Sequence, residues 1–508
     1  MKYFWNVIAV LVAFAMIAVN AGCGQLIQRN ETTANSTTLQ NPQIKFKWVK
    51  CPYGNLPIEI DCGYLVVPAN HFNPQEGKIR LPVTILRSKG NDEAAEALVY
   101  LAGGPGSSAM DDIQAWLDQP YLKDRDLILF DQRGSGKAEP SLNCYEVEKS
   151  TPKDRSKAIQ QCYKRLKGQG IDLNVYNSAQ SAADLNALRN VLNYESWDLL
   201  GVSYSTRLAL TMLRDFPQGI RSVILDSVYP LEVNAYEERA VNGARAIETL
   251  FHHCAEDESC AHAYPDLPQV FEDLLITLDN NPSEVKVTSP LSGEEVRITL
   301  NGSKMASLVF EALYHPETIA RIPYVIYEVQ YGYREAIAGL MFPQSQEGRR
   351  SLIQSQVSNG LYASEGSFFS IECNEEVRFN SLTKAESAIK ESNLLLARYL
   401  FSDVRSIFEF CQIWDSGIAR EVENQPVTST IPALIFAGEY DPATPPTWGE
   451  QVARNLSNSY YYLFPAAGHA VIDSGECPSL MIAEFLANPT TPPPATCLQD
   501  QDINFWTP

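Results

Sequence analysis

The sequence predicts an α/β protein in which helices cover a mostly parallel sheet and a large, mainly helical segment interrupts the sheet. Two observations support this fold class. Buried-strand patterns alternate with helical patterns, as where the strand-like segment 197–202 runs directly into helical spacing over 203–213. This alternation stops near residue 231 and resumes near residue 431, so the chain between them is expected to be an insertion into one α/β domain.

The predicted elements begin with a hairpin, in which the turn sequence Asn73-Pro-Gln-Glu-Gly77 separates two strand-like runs, 58–67 and 79–86. In the rest of the α/β domain we predict buried strands at 97–101, 127–130, 197–202, 223–225, 433–437 and 460–464, and helices at 182–192, 203–213 and 479–486. In the insertion we predict helices at 240–254, 267–278, 303–314 and 385–399, and a strand-like stretch at 285–300.

A chain of 508 residues is long enough for about two to three domain-sized units. A signal sequence (1–23) is expected to precede a flexible tether (24–45) that is rich in Gln, Asn and Thr. The core is then expected in two parts, 46–230 and 427–508. The insertion between them, 231–426, is called the cap below.

The N-terminus indicates export. The apolar run 7–19 is short for a membrane span and has the proportions of a signal-peptide core. Two processing routes remain open. The Ala-Gly-Cys segment resembles a bacterial lipobox that would place a lipid on Cys23, although Asn20 stands where that motif usually has Leu. The alternative is cleavage after Ala21. Either route predicts a location in a bacterial envelope, lipid-anchored or periplasmic, or secretion.

Cysteine number favours the lipidated form. The chain has eleven cysteines, and an even ten remain once Cys23 is set aside. An even set in an exported protein is typical of disulfides, whose connectivity the sequence does not fix. Because partners that are close along the chain are the simplest choice, we expect the pairs Cys51–Cys62, Cys144–Cys162, Cys254–Cys260, Cys373–Cys411 and Cys477–Cys497.

The charge balance bounds the partners. Forty basic residues stand against 61 acidic ones, which gives a formal net charge of −21. So acidic a surface argues against nucleic acid or anionic lipid as the main partner, and leaves a lipid on Cys23 as the expected membrane contact. It could favour a substrate that carries a positive group, although a solvated acidic surface is the better explanation of the charge by itself.

A candidate nucleophile lies at a predicted strand-to-helix junction. Gly201-Val-Ser203-Tyr-Ser205 nearly matches the G-x-S-x-G nucleophile elbow, with Ser205 in place of the last glycine. That turn is sharp and requires small residues on either side of the serine. The alternative is an ordinary turn, but the strand and helix on its two sides favour Ser203 as the nucleophile.

A serine nucleophile needs a base and an acid, and they follow in the order of the α/β-hydrolase fold. Asp441 and His469 each come after a predicted strand, where parallel sheets build their sites. His469 would take the proton from Ser203, and Asp441 would orient the imidazole. Asp226 and Glu439 are the competing acids.

The oxyanion of such a reaction needs backbone donors, and a glycine-dense loop at 101–108 follows an early predicted strand. Glycines let the backbone approach a substrate oxygen closely. The candidate donors are the N–H of Gly104, or of Gly103, together with that of Tyr204. A phosphate loop is disfavoured because no Lys-Ser/Thr follows the glycines.

Four motifs in order resemble the secreted tripeptidyl aminopeptidase and proline iminopeptidase group of α/β-hydrolases. They are Ala-Gly-Gly-Pro-Gly at 102–106, Asp-Gln-Arg-Gly-Ser-Gly at 131–136, Gly-Val-Ser-Tyr-Ser at 201–205 and Gly-Glu-Tyr-Asp-Pro-Ala-Thr-Pro at 438–445. The resemblance covers nearly all of 48–500. It departs at Ala102, where the iminopeptidases usually carry His, and at Ser205.

The resemblance implies an exopeptidase whose cap carboxylates hold the α-ammonium group of the substrate. The matching region is 370–376, where Glu375 fits the acidic position of the family best and Glu372 is the alternative. A carboxylate facing the site would select free N-termini and fix the distance to the cleaved bond. A solvated acidic run beside a disulfide is the other interpretation.

The sequence as a whole predicts a serine exopeptidase that releases prolyl, dipeptidyl or tripeptidyl units from free peptide N-termini through an acyl-enzyme. No metal or organic cofactor is expected. An esterase of small acyl esters shares the mechanism and is the first alternative. A non-catalytic binding protein on a hydrolase scaffold is the second. The sequence does not indicate an oligomeric state.

Overall fold

The computed structural model describes most of the chain beyond the N-terminal region. The described residues are 44–54, 56–75, 77–90, 95–111, 113–288, 293, 295–342, 363–392, 394–499 and 501–507. The expected signal sequence, Cys23 and the tether up to residue 43 lie outside them. In the described part of the chain, no helix is both long and apolar enough to cross a membrane.

The described residues build one large sheet of nine strands and one small sheet of two. The large sheet consists of β1 (Lys45–Val49), β2 (Ile60–Pro68), β3 (Lys78–Leu86), β4 (Ala95–Leu101), β5 (Arg125–Phe130), β6 (Trp197–Val202), β7 (Ile220–Asp226), β10 (Ala433–Gly438) and β11 (Ser459–Phe464). The small one pairs β8 (Ser283–Thr288) with β9 (Glu295–Leu300). The spatial order of the large sheet is β1-β2-β3-β5-β4-β6-β7-β10-β11.

The strands that carry the site are parallel. β1, β2 and β3 pair antiparallel, β3 joins β5 antiparallel, and every later pairing in the large sheet is parallel. All six residues of β6 are buried, and all six of β10. Neighbouring residues such as Leu199 and Leu200 pack into different hydrophobic clusters on the two faces. This double burial is what makes strands of a parallel sheet read as continuous apolar runs.

Helices cover the sheet and form the cap. Those that precede β7 or follow β10 are Ile113–Trp116, Tyr145–Glu148, Arg155–Gly168, Ser178–Val191, Tyr204–Asp215, Pro446–Asn455 and Glu476–Ala487. Those between β7 and β10 are Ala235–Glu256, Glu258–Ala263, Leu267–Asn280, Gly302–Ala312, Pro316–Ile319, Ile322–Gln330, Ala338–Met341, Glu365–Ile371, Leu382–Ser392 and Leu395–Ile413. A π-helical turn, Glu372–Glu376, continues the helix that begins at Glu365.

Short 3₁₀ segments complete the secondary structure. They are Pro120–Lys123, Pro152–Asp154, Leu173–Val175, Arg334–Ile337, Val377–Phe379, Glu421–Asn424, Val471–Asp473 and Thr496–Leu498.

Most predicted elements are present, and the differences have physical causes. The hairpin is β2 and β3, and the stretch 285–300 is the hairpin of β8 and β9. The single helix predicted at 385–399 is two helices, because the Ser392 side chain bonds the carbonyl of Ile389 and the N–H of Leu394 in competition with the helical ladder. The strand β1 was not predicted, and it begins at Lys45, within the expected tether.

All ten cysteines of the described region lie in the expected neighbouring pairs at disulfide distance. One pair bears directly on the site. Cys373–Cys411 links the π-helical turn to the helix Leu395–Ile413, so two elements of the cap are joined across 38 residues of sequence.

Candidate active site

Ser203 occupies a strained turn between β6 and the helix Tyr204–Asp215. Its backbone has φ 59° and ψ −128°, which a non-glycine residue adopts only under the constraint of its surroundings. The N–H of Ser203 donates to the carbonyl oxygen of Asp226 at 2.9 Å. A Cβ on Gly201 would lie 2.7 Å from the carbonyl oxygen of Ser205, so the turn requires glycine there. Ser203 is therefore presented at the end of its strand in the geometry of a nucleophile elbow.

Ser205, the departure from the elbow motif, bonds the ends of two strands. Its hydroxyl oxygen accepts a hydrogen bond from the N–H of Val202 at 2.8 Å, and it also contacts the carbonyl oxygen of Leu101. Leu101 ends β4 and Val202 ends β6. The serine thus gives the buried turn a polar link that glycine lacks.

His469 and Asp441 are hydrogen-bonded to each other. Nδ1 of His469 lies 2.9 Å from Oδ2 of Asp441. The other oxygen of Asp441 accepts the N–H groups of Ala443 and Thr444, both at 2.8 Å. The hydroxyl of Thr444 donates to Oδ2 at 2.6 Å and lies 3.1 Å from Nδ1 of His469. These contacts fix the carboxylate and the ring together.

The pKa values of this pair move in the directions that suit a base and its partner. Burial alone would raise the pKa of Asp441, but the positive charge of His469 and the hydrogen bonds just described hold it below its usual value. Burial would lower the pKa of His469, but the charge and the hydrogen bond of Asp441 outweigh it and raise the pKa. The surroundings of Asp441 therefore favour its anionic form, and Asp441 in turn raises the proton affinity of the neighbouring imidazole.

The two competing acids have other partners. Asp226 ends β7, and its carboxyl accepts the N–H groups of Val471 at 2.9 Å and Ile472 at 2.8 Å. It thereby holds the backbone that follows His469, and burial raises its pKa to about 6. Glu439 lies 3.8 Å from Nε2 of His253. Within the described residues, the hydrogen-bond partners of His469 Nδ1 are Asp441 and Thr444.

Ser203 and His469 line one cavity of about 420 Å³ between the sheet and the cap. Gly104 and Thr444 line it from the core. The cap contributes aromatic and charged side chains, among them Tyr236, Arg239, Glu365, Phe368, Phe369, Glu372, Asp403 and Phe410. Ser203 and His469 thus meet at one opening, with a mixed apolar and charged wall opposite them, and the fully buried Asp441 contacts His469 from outside the cavity lining.

The glycine-dense loop lies directly beside the nucleophile. A Cβ on Gly103 would lie 3.2 Å from the Cβ of Ser203, and Gly104 has φ +108°. A side chain would be excluded at the first position and strained at the second. The backbone of this loop and that of Tyr204, at the start of the helix, therefore both lie next to Ser203, as the predicted oxyanion donors must.

The Asp-Gln-Arg motif anchors this loop, a role that the sequence did not reveal. Oδ1 of Asp131 accepts the hydroxyl of Ser108 at 2.8 Å and the N–H of Ala109 at 2.9 Å. The amide of Gln132 donates to the carbonyl oxygen of Ala102 at 2.8 Å. The motif itself could have indicated this role. Polar side chains beside a glycine-rich turn, directly after a buried strand, are typical of a loop that side chains hold in place.

The two predicted cap carboxylates take different positions. Glu372, 3% exposed, lines the cavity and accepts the hydroxyl of Tyr236 at 2.9 Å. Glu375 is not among the residues that line the cavity. Its carboxylate accepts the N–H of Ser178 and, at 2.6 Å, the Ser178 hydroxyl, which also lies 2.8 Å from the hydroxyl of Tyr204. Glu375 therefore contacts the start of the helix Ser178–Val191, and through the Ser178 hydroxyl it is linked to Tyr204 of the elbow helix, Tyr204–Asp215.

Arg207 joins this part of the cap to the core. It lies on the helix that follows Ser203, and its side chain is 2% exposed. Nη1 of Arg207 donates to Glu376 at 2.7 Å, and Nη2 donates to the carbonyl oxygen of Glu375 at 3.3 Å. The charge of this single arginine thus holds the π-helical turn against the elbow helix, and the sequence gave no signal for the pairing because 169 residues separate the partners.

Comparison with known proteins places the chain among hydrolases. Residues 96–251 match the family described as alpha/beta hydrolase fold, and residues 398–497 match the family described as TAP-like protein. The protein named Serine protease Hip1 of Mycobacterium tuberculosis is 22% identical over 96% of this chain and 96% of its own length. The Tripeptidyl aminopeptidase of Streptomyces lividans is 30% identical over 36% of this chain and 38% of its own length.

A solved proline iminopeptidase of Mycobacterium smegmatis is similar at 15% identity and a TM-score of 0.40, over 84% of this chain and 98% of that one. The predicted α/β-hydrolase fold is confirmed by the family match and by the strand order. The prediction of an enzyme is confirmed as well, which sets the non-catalytic alternative aside. The chain is a serine hydrolase of the α/β-hydrolase fold with a TAP-like C-terminal region.

Proposed function

We propose that this serine hydrolase is an exopeptidase that releases prolyl, dipeptidyl or tripeptidyl units from free peptide N-termini. The observation that carries the proposal is Glu372, a buried carboxylate in the same cavity as Ser203 and His469. The names of the serine protease and the tripeptidyl aminopeptidase to which the chain is similar support peptide bonds as the target.

The proposed reaction proceeds through an acyl-enzyme. Ser203 attacks the scissile carbonyl while Nε2 of His469 takes its proton, and Asp441 holds the ring and stabilises the imidazolium. Backbone N–H groups of Gly104 and Tyr204 bind the oxyanion of the tetrahedral intermediate. His469 then returns the proton to the leaving amine, and water, deprotonated by the same ring, releases the N-terminal fragment from Ser203.

Glu372 suits an α-ammonium group because its negative charge is buried and only partly balanced by neighbouring donors and cations. Burial and the nearby charge of Glu376 raise the pKa of Glu372 to about 8, so in the empty cavity at neutral pH the carboxyl is mostly protonated. An ammonium ion at this place would restore the carboxylate and form a charge-assisted hydrogen bond. A blocked N-terminus offers no such bond. The cavity would therefore distinguish free N-termini from acylated ones.

We also propose that the protein works outside the cytosol. The five cysteine pairs of the described region favour an oxidising compartment such as a bacterial envelope. The apolar run at 7–19 and the lipobox-like segment ending at Cys23 support export, with or without a lipid anchor. Labelling cells with a radioactive fatty acid would test the anchor, since Cys23→Ala should abolish incorporation.

The test of the activity uses three substrates: a tripeptidyl anilide with a free N-terminus, its N-acetylated twin, and a short acyl ester. Wild type is expected to cleave the free peptide at least about 100-fold faster than the twin, a factor that one charge-assisted contact supplies. Ser203→Ala should cleave none of the three. Glu372→Gln should lower kcat/KM for the free peptide about tenfold to 100-fold and reduce the preference over the twin.

Asp403→Asn is the matched control, since Asp403 is another carboxylate that lines the cavity but its side chain is exposed. We expect this variant to behave as wild type. Equal cleavage of the free and acetylated peptides would contradict the assignment of Glu372. Cleavage of the ester without cleavage of either anilide would establish the alternative function, an esterase of small acyl esters.

A further inference from the structure

Glu365 is a second carboxylate in the cavity, and nothing in the proposed reaction uses it. It is 4% exposed and lines the same opening as Ser203 and His469. Its Oε2 atom is buried and has no hydrogen-bond partner among the described residues. A buried polar atom without a partner is costly, and such atoms in folded proteins usually have a ligand or a function.

The backbone around Glu365 is fixed against the core. The N–H of Ser364 donates to the carbonyl oxygen of Gly106 at 3.0 Å, and that of Gly366 donates to the carbonyl oxygen of Leu142 at 3.1 Å. Gly106 belongs to the glycine-dense loop that borders the nucleophile. Glu365 therefore lies beside this loop, and the backbone hydrogen bonds of its two neighbours fix its position.

Helical geometry separates Glu365 from Glu372 while keeping both on one face. Seven positions correspond to about two helical turns, so the two residues project in nearly the same direction about 10 Å apart along the axis. Both side chains line the cavity, as that geometry requires. The wall opposite Ser203 thus carries two acidic positions, and about three residues of extended chain span the distance between them.

The cations near Glu365 compensate its charge only in part. Of the two arginines that line the cavity, Arg239 lies over the ring of Phe310 at 5.1 Å and Arg155 is exposed. Burial raises the pKa of Glu365 to about 7; backbone hydrogen bonds and the charge of Arg155 oppose this rise, and Glu148 adds to it. A further positive group beside this carboxyl would therefore stabilise its charged form.

We propose that Glu365 forms a subsite for a basic side chain of the substrate, a lysine ammonium or arginine guanidinium, distinct from the place of the α-ammonium at Glu372. The proposal rests on the peptidase function above, because it assigns a side-chain preference to that enzyme. Glu365 would be a specificity-determining residue, binding the charged end of the side chain through Oε2 while the peptide backbone lies along the cavity wall.

The direct test measures binding of Nα-acetyl-lysinamide and of its uncharged analogue Nα-acetyl-norleucinamide. Acetylation removes the α-ammonium, so a preference for lysine reports the side-chain charge alone. Binding is measured as slower fluorophosphonate labelling and, independently, as a rise in unfolding temperature. Wild type should bind the lysine ligand about tenfold or more tightly than the norleucine ligand, as expected for a charge-assisted hydrogen bond.

Glu365→Gln should remove this preference, and Glu365→Met, which replaces the carboxyl by an apolar group of similar size, should do the same if the first variant folds poorly. Asp403→Asn is the control for a cavity carboxylate at the exposed rim, and should keep the preference. Equal binding of the two ligands by wild type, or a lysine preference that survives in both Glu365 variants, would overturn the proposal.

A peptide series separates the failure of this proposal from the failure of the peptidase function. Peptides with free N-termini carry one lysine, or norleucine in its place, at successive positions. At one position wild type should prefer lysine, and Glu365→Gln should not. Cleavage without any lysine preference would overturn the subsite and leave the peptidase. Absence of cleavage, with Glu365-dependent lysine binding retained, would remove the peptidase and leave the cation site.

Discussion

The carboxylates on the two sides of the cavity have opposite environments. The core wall is the side with Ser203 and His469, together with Asp441 behind His469, and the cap wall is the side with Glu365 and Glu372. On the core wall, Asp441 is fully buried and surrounded by donors, and its pKa lies below the usual value. On the cap wall, Glu372 and Glu365 are nearly as buried, yet their pKa values rise to about 8 and about 7. The difference lies in compensation, since burial penalises all three charges alike.

This contrast matches the different roles proposed for these carboxyls, catalysis for Asp441 and recognition for Glu372 and Glu365. Asp441 accepts bonds from two backbone N–H groups, from Thr444 and from His469, so its charge is satisfied before substrate arrives. Among the described residues, the Glu372 side chain accepts a hydrogen bond from Tyr236 alone. A catalytic anion must be preorganised, whereas a recognition carboxyl gains selectivity when its best partner is the ligand itself. The predictions below test each side of this comparison.

The largest effect is expected at the core wall. Asp441→Asn should lower kcat by about 10⁴-fold, or about 5.5 kcal/mol, because the imidazole loses its orienting anion and its favoured tautomer. KM for the free tripeptidyl anilide should change little. Steady-state kinetics on that substrate, with the unfolding temperature as a check on the fold, would measure it.

Asp226→Asn is the matched control, since it changes another buried aspartate at a strand end. Val471 and Ile472 donate to different oxygens of Asp226, so the asparagine keeps an acceptor for one of the two N–H groups only. Because these bonds hold backbone and not the imidazole, we expect a loss of about tenfold or less in kcat. A loss at Asp226 as large as that at Asp441 would move the catalytic acid to β7.

The next largest effect is expected at Arg207, which links the core to the cap through Glu376. Arg207→Met should destabilise the protein by about 3–5 kcal/mol, because Glu376 then stays buried without its cation. Arg214→Met, on the same helix and with a more exposed side chain that pairs with Asp215 and Glu423, should cost clearly less. Chemical denaturation would measure both, and equal losses would show that the cap does not depend on the buried pair.

The sequence predicted the core wall far better than the cap wall. Ser203, Asp441 and His469 each follow a buried apolar run, and short motifs with fixed spacing mark strand ends in this fold. Thr444 was within reach too, as it lies three residues from Asp441 in the same motif. Local sequence was enough because the sheet itself brings strand ends together.

The cap wall depends on contacts between distant parts of the chain. Glu372 and Glu375 are three positions apart on continuous helical backbone, yet one faces the cavity and the other faces Ser178. The π-helical turn sets these directions, and it is stabilised by Arg207 and a disulfide rather than by a local pattern. The sequence of 370–376 therefore indicated an acidic segment but not which of its carboxyls lines the cavity.

A smaller effect is the pH dependence of binding at Glu372. Below pH 8 the empty site holds a neutral acid, so binding of an ammonium ion requires loss of a proton. The affinity of Ser203→Ala for a free tripeptide should therefore rise from pH 6 towards pH 8, by at most about tenfold per unit, and then level off as the peptide amine loses its own proton. Isothermal titration calorimetry would measure this dependence.

The double variant Ser203→Ala/Glu372→Gln is the control, because it retains His469 and its titration. We expect its affinity for the same tripeptide to be weaker and nearly flat between pH 6 and pH 8. An unchanged slope in the double variant would assign the titration to another group and would remove the main argument that Glu372 holds the ammonium.

The smallest effect is expected at Ser205, because other hydrogen bonds hold the site residues in place without it. Ser205→Ala removes the acceptor of the Val202 N–H and should cost about 1–2 kcal/mol in the free energy of unfolding. Ser205→Gly should cost about 1 kcal/mol more, since glycine is unfavourable within the first turn of a helix. Both should keep kcat within a few-fold of wild type, because the Asp441–His469 pair and the glycine-dense loop have their own anchors. A loss of kcat greater than about 100-fold, with the fold intact, would show instead that this one hydroxyl sets the position of the oxyanion donors.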